Sequence, residues 1–130
     1  MPTTQKSKVR ILLVDNHRAT QNACRKMLAP QELVVASTAA AALVTAGEIQ
    51  PNLVILELAL ASHSGMEFLY EFCTYSDWQH VPVILYTHVK LHDEVLKSRA
   101  FKQLNIKAYL YKPETTLLTL HSVVEKCLAS

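Results

Sequence analysis

Pro51-Asn52-Leu53-Val54-Ile55-Leu56-Glu57 opens on a proline and an amide, runs through four consecutive apolar residues and stops at a carboxylate. A continuous apolar run, with no polar alternation, suits a strand buried on both faces. Four further runs read the same way: Val9–Val14, Leu33–Ala36, Val81–Thr87 and Lys107–Tyr111. Helical patterns lie between them. His17–Ala29 places Ala19 or Thr20, Ala23, Met27 and Leu28 on one face. Ala39–Ala46 is alanine-rich, with Ser37 or Thr38 as its cap and Gly47 as its stop. Gly65–Tyr75, Leu91–Leu104 and Glu114–Leu128 carry apolar residues at helical spacing. Strand–helix alternation repeated five times predicts an α/β fold with five helices and parallel strands joined by right-handed crossovers. Five units make an open, doubly wound sheet and are too few for an eight-fold barrel.

The length and composition agree. The 130 residues are 50% apolar and 18% charged, as expected of one globular domain with its own core. We read residues 1–8 as a flexible N-terminal tail and 9–128 as a single domain. No run approaches the ~20 apolar residues of a membrane span, and no signal peptide is evident. Membrane insertion is therefore not expected. Three cysteines without C-x-x-C spacing point to a reducing, cytoplasmic setting. The net charge of +2 is unevenly spread. Met27 to Val89 holds no Lys or Arg and six acids; Lys90 to Lys112 holds six bases and two acids. The basic segment is too sparse, and too poor in interleaved aromatics, for nucleic-acid binding.

In an open α/β sheet, ligands bind beyond the carboxyl ends of the strands. Here those ends read Val14-Asp15-Asn16, Leu56-Glu57-Leu58, Tyr86-Thr87-His88 and Tyr111-Lys112-Pro113. Two carboxylates and an amide are hard oxygen ligands of the kind magnesium accepts. A hydroxyl and an ammonium are what a phosphoryl oxygen would meet.

These strand ends, in this order, resemble the receiver domain of two-component response regulators over about residues 8–128. Ile11-Leu12-Leu13-Val14-Asp15-Asn16 resembles the acidic pair that holds the family's magnesium ion. Pro51–Glu57 is similar to the strand that ends in the phosphoacceptor aspartate, and Gly65 follows eight residues later. Pro82-Val83-Ile84-Leu85-Tyr86-Thr87 places Thr87 at the switch hydroxyl. Ala108-Tyr109-Leu110-Tyr111-Lys112-Pro113 matches Tyr109 to the switch aromatic and Lys112 to the invariant lysine. The resemblance implies a flavodoxin-like sheet of order 2-1-3-4-5 and a cis bond before Pro113. It also implies a metal set of Asp15, Asn16 and Glu57, and phosphate sensing by Thr87, Tyr109, Lys112 and Pro113.

Three positions depart from the family. Position 57 is Glu where the family has Asp, position 16 is Asn where an acid is usual, and position 88 is His where a small residue is common. One extra methylene moves the carboxylate outward by about 1.5 Å. In-line phosphoryl transfer is mainly positioning and charge neutralisation, so such an error costs on the order of 100-fold. Loss of the second acid weakens the cation site, and magnesium is expected to bind weakly or not at all. Glu57 is open to three readings: an imitation of the phosphorylated state, an inert occupant of a fixed scaffold, or a slow phosphoacceptor or a replacement introduced by mutation of an Asp.

Simpler roles stand beside these. Asp15 suits a helix cap, Lys112 an ion-pair partner, Thr87 a strand residue and Tyr109 static packing. His88, His92 and His63 do not make a convincing zinc set, having no cysteine pair nearby. No nucleophile elbow or glycine-rich phosphate loop marks an independent enzyme. The expectation is a stand-alone receiver-like signalling module that is not an enzyme and acts by protein–protein contact, independently of phosphorylation. The alternative is a working phosphorelay regulator, charged by a histidine kinase in a magnesium-dependent way. The partner is expected to be a histidine kinase or a downstream signalling protein. The fourth helix, fifth strand and fifth helix, bearing Lys97, Arg99, Phe101, Lys102 and Lys107, form the expected docking and homodimer face.

Overall fold

The computed structural model describes residues 9–60 and 64–129. Five parallel strands form one sheet in the order β2-β1-β3-β4-β5. They are β1 (Arg10–Val14), β2 (Glu32–Ala36), β3 (Leu53–Leu56), β4 (Val83–Thr87) and β5 (Ile106–Tyr111). Register runs Leu13 to Ile55 across β1–β3 and Ile55 to Ile84 across β3–β4. This aligns the carboxyl ends of the three central strands.

Side-chain alternation along each strand divides the core. Leu12, Val14, Val54, Leu56, Val83 and Leu85 face one side. They pack on α2 (Ala39–Ile49) and α3 (Gly65–Thr74) through Ala42, Ala46, Phe68 and Phe72. Ile11, Leu13, Leu53, Ile55 and Ile84 face the other side. There they meet α1 (Arg18–Met27) and α6 (Leu117–Ala129) through Cys24, Leu28, Leu120 and Val124. Burial on both faces is why these strands read as continuous apolar runs. No helix among the described residues is long and apolar enough to cross a membrane.

Three local expectations are corrected. The helix expected over Leu91–Leu104 is two single turns, α4 (Asp93–Leu96) and α5 (Arg99–Lys102), giving six α-helices among the described residues in place of five. Ser98 separates them: its hydroxyl donates to the Val95 carbonyl at 2.8 Å and accepts from the Phe101 amide at 3.2 Å. A serine that bonds neighbouring backbone in this way competes with helix propagation. Helix α2 passes through Gly47 and ends at Gln50, whose φ is 51° and whose successor Pro51 cannot continue a helix. Its cap is Thr38, which accepts from the Ala41 amide at 3.0 Å. The cis bond expected before Pro113 is absent, and Ala29–Pro30 is the cis peptide found among the described residues. Pro113 instead lies in the 3-10 turn Lys112–Glu114, where a proline's fixed φ suits the first helical positions.

Candidate functional site

The site forms where four strands end. Asp15 follows β1 and Glu57 follows β3; both are fully buried, as is Thr87 at the end of β4. Backbone bonds fix the two carboxylate-bearing residues: the Asp15 amide donates to Ala36 at 3.0 Å and the Glu57 amide to Val14 at 2.9 Å. Gly65 closes the site from α3. Its amide donates to the Leu58 carbonyl at 2.7 Å. A Cβ there would collide with the Glu57 carbonyl oxygen and come within 2.8 Å of the Leu58 Cα. The glycine that follows Glu57 by eight residues is thus required by the close approach of α3 to the Glu57 backbone.

Lys112 sits between the carboxylates. Its Nζ is 2.7 Å from Asp15 Oδ2 and 3.0 Å from Glu57 Oε1, and its side chain is 5% exposed. One ammonium therefore offsets two buried negative charges that would otherwise repel. The remaining oxygens find other donors. Asp15 Oδ1 accepts from the His17 amide at 2.8 Å and contacts His17 Nδ1 at 2.9 Å. Glu57 Oε2 accepts from the Ala59 amide at 3.0 Å and from the Thr87 hydroxyl. Glu57 Oε1 accepts from the His88 amide at 3.0 Å and contacts His88 Nδ1 at 3.1 Å.

Burial alone would push the Glu57 carboxyl up. The Ala59 amide, the Thr87 hydroxyl and Lys112 together outweigh it and lower the pKa from 4.5 to about 2. Glu57 is therefore an anion throughout the physiological range.

Thr87 connects this anion to the neighbouring loop. Its Oγ1 donates to Glu57 and accepts from the Leu58 amide at 3.2 Å and the Val89 amide at 3.0 Å. The Tyr109 hydroxyl donates to the Val89 carbonyl at 2.8 Å and accepts from the Leu91 amide at 2.9 Å. Glu57, Thr87, Val89 and Tyr109 thus form one chain of polar contacts from the sheet edge toward α4.

The expected site residues do not all converge. Asp15, Glu57, Thr87 and Lys112 meet directly; Tyr109 joins through the loop. Asn16 is exposed. Pro113 is exposed beside Lys112. On the expected partner face, Lys97, Arg99, Lys102 and Lys107 are exposed, but Phe101 is 7% exposed and belongs to the core. Phe101 falls on the inward side of the short turn that Ser98 starts, so it cannot serve as a surface contact. His63 lies outside the described residues. His92 precedes α4 and is exposed. The residue that sequence reading missed is His17, whose ring lies 4.9 Å from that of His88. Its one signal was its place two residues after Asp15.

The thiols offer no reactive centre among the described residues. Cys24 is buried, and burial, followed by the nearby Asp15 charge, pushes it up to about 11. Burial also raises Cys73 and Cys127, and a raised thiol is a poor nucleophile at neutral pH.

The family model for the response regulator receiver domain matches residues 11–124. The chain belongs to this family. Solved receivers share the fold. The Mn(2+)-bound form of response regulator Rcp1 aligns at 26% identity and TM-score 0.71, covering 88% of each chain. The non-phosphorylated HemR receiver domain from Leptospira biflexa aligns at 21% identity and TM-score 0.82, covering 95% of this chain and 96% of its own. Chemotaxis protein CheY4 of Vibrio cholerae aligns at 19% identity and TM-score 0.79, covering 93% and 99%. No curated protein matches the chain. Receivers are signalling modules, and they bind magnesium at the acidic site formed by these strand ends. In this receiver the acidic site holds two buried carboxylates, Asp15 and Glu57. Magnesium demands near-ideal octahedral oxygen ligation. Asn16 replaces one acid, and the Lys112 ammonium already bridges the two carboxylates that remain.

Proposed function

We propose that this receiver signals by protein–protein contact in a conformation set by Glu57 itself, without phosphorylation. The observation that carries this reading is the complete engagement of the Glu57 carboxylate by Lys112, Thr87, Ala59 and His88. Lys112 and Thr87 are the donors that a phosphoryl group on a shorter acidic side chain would meet. Glu57 takes them with a charge of −1 and two oxygens, against nearly −2 and three for a phosphoryl group. The imitation is therefore partial, and its consequence is a fixed Thr87–Val89–Tyr109 arrangement.

The surface controlled by this arrangement is the α4–β5–α6 side. Tyr109 lies on β5, and the exposed cations Lys97, Arg99, Lys102 and Lys107 cluster in sequence around it. An acidic protein surface is the complementary partner for this basic patch. A histidine kinase or downstream signalling protein bearing such an acidic surface is the partner of this reading.

The test is nitrogen–proton NMR of the full chain. Glu57→Gln keeps the size of the side chain and removes its charge. It should shift the amides of Thr87, Val89 and Tyr109, whereas adding a phosphodonor and Mg²⁺ to the unmodified protein should leave them in place. Amides that ignore Glu57→Gln, or that move on adding the phosphodonor with Mg²⁺, would overturn the reading.

A further inference from the structure

We infer that His17, His88 and Glu57 form a site for one borderline divalent cation of the zinc class. One ligand atom from each of the three lies within 4.8 Å of those of the other two. Ligands about 2.1 Å from a tetrahedral ion lie roughly 3.4 Å apart, so the group must tighten on loading. Glu57 is fixed and buried, whereas the His17 and His88 side chains are 42% and 50% exposed; each ring is held at Nδ1, by Asp15 Oδ1 at 2.9 Å and by Glu57 Oε1 at 3.1 Å, and on loading His88 gives up the Nδ1 proton it shares with Glu57 in exchange for the metal. The moving parts are therefore the two imidazoles at the mouth.

Charge and ligand type both favour this cation. Asp15 and Glu57 against Lys112 leave one net negative charge at the base of the site. Two imidazoles line its outward side. Imidazole nitrogen with one carboxylate suits zinc, copper and nickel, whereas magnesium takes oxygen. Support from behind is also present. A carboxylate only accepts, so the 2.9 Å contact between Asp15 Oδ1 and His17 Nδ1 places the proton on Nδ1 and the lone pair on Nε2. A carboxylate that orients a ligating histidine through its other nitrogen is the usual backing of such sites. An open fourth position would be left to water. The inference goes beyond the reading of Glu57 as a fixed anion, and it stands or falls separately because it is read by metal binding alone.

The test is calorimetric titration of the chelator-treated full chain with Zn²⁺, and separately with Mg²⁺. Wild type should take up one Zn²⁺ that excess Mg²⁺ does not displace. His17→Ala and His88→Ala should each weaken binding at least about 10-fold, and His121→Ala, on α6 beside Glu125, should not. Co²⁺ gives a second readout: a ligand-field spectrum without thiolate charge transfer, lost in the His17→Ala/His88→Ala pair. Unchanged Zn²⁺ affinity in both single variants, equal loss in His121→Ala, displacement by Mg²⁺ or a thiolate band would each overturn the assignment.

Discussion

Lys112→Met is expected to destabilise the fold by about 3–5 kcal/mol at neutral pH, the scale for breaking a buried charge pair from one side. Asp15 and Glu57 have no exposed surface, and the Lys112 ammonium contacts both. Removing it leaves two buried carboxylates facing each other without their ammonium counter-ion. Methionine keeps the aliphatic stem, so the loss reports the charge rather than the packing. Against a typical total of about 5–15 kcal/mol, this is a large share. Urea denaturation at pH 7 checks it. Mild acidification should recover part of the loss in the variant, because protonating one carboxylate relieves the repulsion. A loss below about 1 kcal/mol, the range of a solvated surface ion pair, would show that the bridge is not what holds the two acids together.

The second large effect is acid sensitivity traceable to Glu57. Its pKa lies near 4.5 unfolded and about 2 folded. Between these values the unfolded chain binds more protons than the folded one, so stability rises with pH across the window. The contribution is full above the unfolded value and is lost as pH falls toward the folded one. A shift of this size corresponds to roughly 3 kcal/mol at 1.36 kcal/mol per unit. Urea midpoints measured from pH 6 to pH 2.5 should fall steeply in the unmodified protein and less steeply in Glu57→Gln. Parallel slopes would place the acid-sensitive group elsewhere.

Much of this site was legible because its parts sit at the ends of strands. Continuous apolar runs located β1, β3, β4 and β5, and the residue at or just after the end of each run named Asp15, Glu57, Thr87 and Lys112. What the sequence concealed depends on contacts local periodicity does not encode. The pattern over Leu91–Leu104 is helical in spacing, yet the Ser98 hydroxyl turns back onto the Val95 carbonyl and breaks it. The same break turns Phe101 inward, so an apolar residue expected on the partner face became core. His17 was missed because its approach to His88 is set by two loops that meet only when β1 and β4 flank β3. The bridging geometry of Lys112, 97 residues from Asp15, is likewise a product of the closed sheet.

The central claim is that Glu57 occupies the phosphoacceptor position as a self-satisfied anion and keeps the receiver out of phosphotransfer. Intact-mass spectrometry after incubation with a small-molecule phosphodonor, with and without Mg²⁺, tests it most directly, with Glu57→Asp run alongside. The unmodified protein should keep its mass under both conditions. A Mg²⁺-dependent gain of ~80 Da, one phosphoryl group, in the unmodified protein would contradict the account and make this receiver a working phosphoacceptor.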